Sequence, residues 1–117
     1  MASGRIENEI GAVQDLPITW SSTLQQNNGS SAVKIGRLVI ITIACNGTIQ
    51  ASGAVDYLFN LGMTFKNSSF VRPFSSYTNN QCRFGLTTDG KVYINGASNI
   101  TSTWSDSFRG TLIGVLE

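Results

Sequence analysis

Residues 33–49 read VKIGRLVIITIACNGTI, and this run decides the fold class. β-Branched and other apolar residues dominate it, and it ends on Asn46-Gly47. Taken as one strand, it places Val33, Ile35, Val39, Ile41, Ile43 and Cys45 on one side, broken only by Arg37. Lys34, Gly36, Leu38, Ile40, Thr42 and Ala44 take the other side. Both faces are thus apolar from Leu38 to Ile41, which predicts cover on both sides. A small antiparallel domain normally leaves one face wet, so a second layer is expected here, from another copy of the chain. Asn-Gly is a strong hairpin signal, and a turn is expected at Asn46-Gly47 with residues 49–53 returning from it.

Upstream, residues 18–24 read as a first strand around Trp20, and QQNNGSSA (25–32) reads as a turn cluster. Ahead of Pro17, residues Ile6, Ile10 and Val13 follow a 4-then-3 spacing with Glu7, Asn8 and Glu9 between them. That spacing fits the last turns of a coiled-coil stalk, a short amphipathic helix or an irregular arm. The chain therefore divides into an arm at 1–16 and a β head domain at 17–117.

Downstream, Val55, Tyr57, Phe59 and Leu61 alternate with Asp56, Leu58, Asn60 and Gly62, which predicts a half-buried strand. Residues 63–73 are irregular, with Phe65, Phe70 and Val71 as apolar anchors, and SSYTNNQ (75–81) is a polar loop. The next hairpin is readable in register. A two-residue loop Asp89-Gly90 would set Leu86 against Tyr93, and the apolar faces would disagree. A three-residue loop Thr88-Asp89-Gly90 pairs Leu86 with Val92 and Phe84 with Ile94, with Gly90 left-handed in a G1 bulge. Residues 95–106 form a second polar loop carrying Trp104, and residues 108–117 a final, ordered strand. The expected architecture is all-β, an antiparallel sandwich or barrel.

Composition narrows the function. Charged residues make up 13%, against roughly 25% in average soluble proteins. The 25 Ser and Thr and 12 Gly that replace them suit strands and turns. The net charge is +1, and the eight basic residues are scattered along the sequence, so nucleic acid is not an expected partner. No apolar run nears the roughly 20 residues that cross a bilayer as a helix, and no secretory leader is expected. Cys45 and Cys82 fit apolar rows and read as buried free thiols, with a disulfide as the alternative. The chain has no His, so neither a zinc site nor a histidine-dependent triad is expected, and no cofactor is called.

Three features taken in order resemble the C-terminal head of tail-fibre and baseplate receptor-binding proteins from phages of Gram-positive bacteria. They are the Trp segment with its Asn-Gly-rich turn leading into VKIGRLVIITIACNG, the Arg72-Pro73 pair, and RFGLTTDGKVYING with its Asp-Gly turn. Residues 61–63 depart from the family by lacking its Leu-Pro. The resemblance spans residues 18–117. It implies a homotrimeric β head that adheres to host cell-wall saccharide at the tip of a virion tail, alongside other tail or baseplate proteins.

Saccharides stack on aromatic rings while amides, carboxylates and guanidinium groups bond their hydroxyls. Loop 98–109 supplies Asn99, Trp104, Asp106 and Arg109, and loop 75–83 supplies Tyr77, Asn79, Asn80 and Arg83. These eight are the candidate ligand residues. Trp104 and Tyr77 can equally serve in packing, and Trp20 is read as packing. Arg37 is read as an inter-subunit ion pair or an exposed strand end. A glycosidase needs two placed carboxylates. Asp89 is taken by a turn and Asp56 by the wet face of a strand, so catalysis is not expected. The alternatives to adhesion are a capping or trimerising fibre module and, behind it, a glycan-cleaving tail domain.

Overall fold

The computed structural model describes residues 13–49, 55–75, 82–96 and 104–117. Ten strands are present: β1 (Val13–Leu16), β2 (Gln25–Asn27), β3 (Ser31–Ile35), β4 (Leu38–Ile49), β5 (Val55–Asn60), β6 (Ser69–Val71), β7 (Phe74–Ser75), β8 (Cys82–Leu86), β9 (Lys91–Gly96) and β10 (Trp104–Val115). The larger sheet runs β1-β3-β4-β10-β7, with β2 also on β4, and the smaller runs β5-β9-β8-β6. All pairings are antiparallel, and the two sheets stack as a sandwich.

The core lies between the layers. Val39, Ile41, Ile43, Phe108 and Leu112 of the larger sheet meet Leu58, Phe59, Phe84, Leu86, Val92 and Ile94 of the smaller, all essentially sealed from water. Each such side chain stabilises the fold by about 1.5–3 kcal/mol relative to exposure. Phe65 joins this core through a bridge to Leu116, and Trp20 covers Phe59 at 5.9 Å between ring centroids. Cys45 and Cys82 are buried free thiols.

The β8–β9 hairpin has the expected register, with Leu86 opposite Val92 and Phe84 opposite Ile94. Gly90 is left-handed (φ 90°) and its amide donates to the Thr87 carbonyl at 3.0 Å.

Four expectations are corrected. The run 33–49 is not one strand. It turns at Gly36-Arg37, with Gly36 at φ 60° and Ile35 paired with Leu38. A two-residue hairpin loop swaps parity, so Val33 and Ile35 share a face with Leu38 and Ile40 rather than with Val39 and Ile41. Arg37 sits exposed in this turn and donates to the Leu116 carbonyl at 3.1 Å. Asn46-Gly47 is no turn either, but the interior of β4. Gly47 is required there because the chain at Leu24–Gln25 crosses it, and a Cβ would lie 2.1 Å from the Leu24 carbonyl oxygen.

Residues 18–24 carry no strand. They form a linking segment whose Ser22 hydroxyl donates to Asp56 at 2.7 Å and accepts from the Gln25 amide at 2.9 Å. Finally, Val13–Leu16 is a strand on β3, not helix, which places these four residues in the larger sheet. Residues 1–12 lie outside the described residues.

Parity explains the doubly apolar reading. Facing outward, Val13, Ile35, Leu38 and Val115 form one row across β1-β3-β4-β10, and Asp15, Val33, Ile40 and Ile113 form the next. Within the single chain the inner face of β4 is sealed, while Leu38 is 37% and Ile113 56% exposed.

Candidate functional site

The site is set by an irregularity in β5. Strict alternation would put Tyr57 and Phe59 on one side. Instead the β5–β9 ladder slips between them, so Leu58 and Phe59 are both buried and Tyr57 is 48% exposed. The carbonyl of Leu58 is occupied by the Ser21 amide at 2.8 Å and the Ser21 hydroxyl at 3.1 Å. A bulge of this kind re-aims one side chain without breaking the strand.

Tyr57 therefore joins an outward row across the whole smaller sheet, in which Tyr57 pairs with Tyr93, Tyr93 with Gly85 and Gly85 with Phe70. Four strands span about 14 Å. Tyr57 and Tyr93 meet edge to face, 6.1 Å between centroids and 73° between planes. Tyr93 lies across bare backbone, since a Cβ on Gly85 would fall 2.0 Å from its Cζ. Phe70 ends the row, 63% exposed.

Cations close both ends of the row. The Arg83 guanidinium stands 5.0 Å from the Phe70 ring centroid, and the Lys91 ammonium 5.5 Å from that of Tyr57. Lys91 also pairs with Asp89 at 3.7 Å. Hydrogen bonding from Thr87, aided by Lys91, holds the Asp89 carboxyl below its usual range. Asn95 is the cross-strand neighbour of both Val55 and Arg83, and its buried Oδ1 accepts no hydrogen bond from the described residues. Two phenol rings, a phenylalanine ring and a guanidinium thus share one open face, groups whose chemistry suits stacking and hydrogen bonding.

Of the eight residues expected from sequence, Arg83 belongs to this face. Asn99, Tyr77, Asn79 and Asn80 lie outside the described residues, as does the side chain of Trp104, whose backbone begins β10 opposite Ile49. Asp106 and Arg109 are not loop residues but part of β10, where alternation parts them. Arg109 is exposed on the outer face between Ala44 and Phe74. Asp106 shares the parity of buried Phe108, accepts from the Ser107 amide at 2.7 Å, and faces the sandwich end, where burial first and its charge second raise the Cys82 thiol.

That sandwich end is chemically quiet. Burial above all, with Asp56 and Cys82 adding, pushes the Cys45 thiol up to about 12, and burial with Asp106 does the same for Cys82. Both stay protonated and unreactive at neutral pH. Asp56 is not on a wet face, because it pairs in register with buried Ile94 and takes the Ser22 hydroxyl. Among the described residues no group of three His, Cys, Asp or Glu could hold a metal ion.

Tyr57, Tyr93, Phe70, Lys91 and Asn95 escaped the sequence reading. Tyr93 was within reach, since the register that buries Val92 and Ile94 turns it outward. Tyr57 was hidden by the bulge, and nothing local marks Phe70 as exposed. No family model, curated protein or solved structure matches the chain.

Proposed function

We propose that this protein is a non-enzymatic adhesion module for cell-surface saccharide, in the role of a phage-tail receptor-binding head that its sequence order resembles. One observation carries the reading: the aromatic row Tyr57–Tyr93–Phe70 lies open across a rigid sheet, with Arg83, Lys91 and Asn95 at its margins. Sugar C–H faces stack on the rings, while the phenol, amide and guanidinium groups bond hydroxyls. A site on strands needs little ordering on binding, which favours even a small contact area. Three copies in a homotrimer add avidity without new contacts.

The test measures binding of the full chain to Gram-positive cell walls and to a glycan array. The Tyr57→Ala/Tyr93→Ala double variant is expected to bind at least tenfold more weakly with an unchanged melting temperature, and Trp104→Ala to bind as the parent does. Undiminished binding by a folded double variant, with loss in Trp104→Ala, returns the site to the 98–109 segment. Release of reducing ends from the bound polysaccharide would instead make the module a glycan-cleaving one.

A second reading, a structural trimerising or capping module, draws on the aliphatic outer rows of the larger sheet. A stable trimer that binds no cell wall and no glycan would establish it.

A further inference from the structure

At one edge of the sandwich the chain passes from the smaller sheet to the larger through residues 70–74, which read FVRPF. Burial alternates strictly along it. Pro73 is buried and Val71 packs against the core, while Phe70, Arg72 and Phe74 are exposed. The outward residues thus wrap the edge as a single strip. Phe74 is 73% exposed, the most exposed large apolar side chain among the described residues.

Each phenylalanine is matched with an arginine from the neighbouring strand. Arg83 of β8 stands over Phe70, and Arg109 of β10 pairs in register with Phe74. Arg72 lies between the two rings. Arg83 and Arg109, far apart in sequence, thus each neighbour one of the two exposed rings.

Exposed rings give no preference between neutral and charged sugars. Guanidinium groups do, because they bond carboxylate and phosphate in a two-pronged fork. We infer that this edge extends the aromatic face into a track for a negatively charged polysaccharide, whose rings stack on Phe70 and Phe74 and whose anionic groups meet Arg83 and Arg109. The inference rests on the adhesion reading above and names its ligand class.

The experiment titrates the full chain by calorimetry with four probes: a galacturonate oligosaccharide, a glycerol-phosphate oligomer, a neutral N-acetylglucosamine oligomer and a single-stranded oligonucleotide. At least one acidic glycan is expected to bind about tenfold tighter than the neutral one and to lose that margin in high salt, where exposed charges are screened. Which acidic probe binds identifies the anionic group. Arg109→Gln, which lies outside the tyrosine face, is expected to shrink the margin several-fold and leave neutral binding unchanged. Phe74→Ala, remote from the tyrosines, is expected to weaken acidic-glycan binding several-fold.

Equal affinity for neutral and acidic glycans, or tightest binding of the oligonucleotide, overturns the inference. If neutral binding still disappears in Tyr57→Ala/Tyr93→Ala, the adhesion reading survives that loss. Failure to bind any saccharide overturns both.

Discussion

The two outer faces of this sandwich obey the same alternation and meet the same solvent, yet they carry opposite chemistry. The smaller sheet shows two phenol rings and a phenylalanine ring, bordered by cations and an amide. The larger shows two aliphatic rows and then a hydroxyl row of Ser31, Thr42 and Thr111. Aliphatic side chains have no donor or acceptor, so such a face gains free energy only by losing water to another surface. Tyrosine and arginine gain from a ligand while staying soluble without one. On the reading proposed above, the smaller sheet and the Phe74 edge would take the ligand, and the aliphatic rows of the larger sheet would take a second chain.

The contrast breaks most completely if one face is removed. Gly90→Val places a β-branched residue at φ 90° with its Cβ 2.5 Å from the Met63 carbonyl oxygen. Backbone strain and overpacking together should cost about 3–5 kcal/mol. Chemical denaturation is expected to show that loss, and an unchanged midpoint would refute the turn assignment. Next in size is the aliphatic face. Leu38→Lys/Ile113→Lys should reduce an assembled protein to single chains in sedimentation, since desolvating two ammonium groups outweighs the contact. Saccharide binding per chain should persist. An assembly that survives the double variant is held through another surface.

Gly85→Ala tests the aromatic face alone. The added methyl lands 2.0 Å from the Tyr93 ring, so the ring must leave its place. Destabilisation of about 1–3 kcal/mol is expected, with loss of glycan binding that Thr42→Ala on the other face does not reproduce.

A pH titration probes the layer between the faces. The Cys45 and Cys82 thiols, pushed up to about 12, favour the folded state fully below the ordinary thiol range. Above it the unfolded chain ionises first, so stability should fall by about 1.4 kcal/mol per pH unit per thiol until the folded values are reached. A Cys45→Ala/Cys82→Ala variant should show the flatter profile, and parallel profiles would contradict burial as the cause. The smallest effect is expected for Thr42→Val, within about 0.5 kcal/mol by thermal melting.

What sequence reading recovered follows from how local the deciding physics is. The β8–β9 register was legible because Asp89-Gly90 fixes the turn and the faces of Phe84, Leu86, Val92 and Ile94 admit one pairing. The turn at Gly36-Arg37 was not, because apolar residues on both flanks fit an unbroken ladder as well as a hairpin. Asn46-Gly47 misled for a related reason. A glycine needed for the close approach of Leu24, distant in sequence, looks the same as one needed for a turn. Asp106 and Arg109 were grouped by nearness in sequence, and the early start of β10 at Trp104 sends them to opposite faces. The aromatic row needs the bulge, and the bulge depends on Ser21, far from β5 in sequence.

That bulge has a consequence for how the surface can change. Because parity restarts at Leu58, the half of β5 that shows side chains to solvent is uncoupled from the half that seals the interior. Substitutions at Val55 and Tyr57 can change the outer surface while Leu58 and Phe59 hold their places. Deleting Leu58, the extra residue, would leave Tyr57 opposite Tyr93 and Phe59 opposite Val92 on their present faces. The position is thus a seam at which selection, or a randomised library, can vary the exposed surface without reopening the fold.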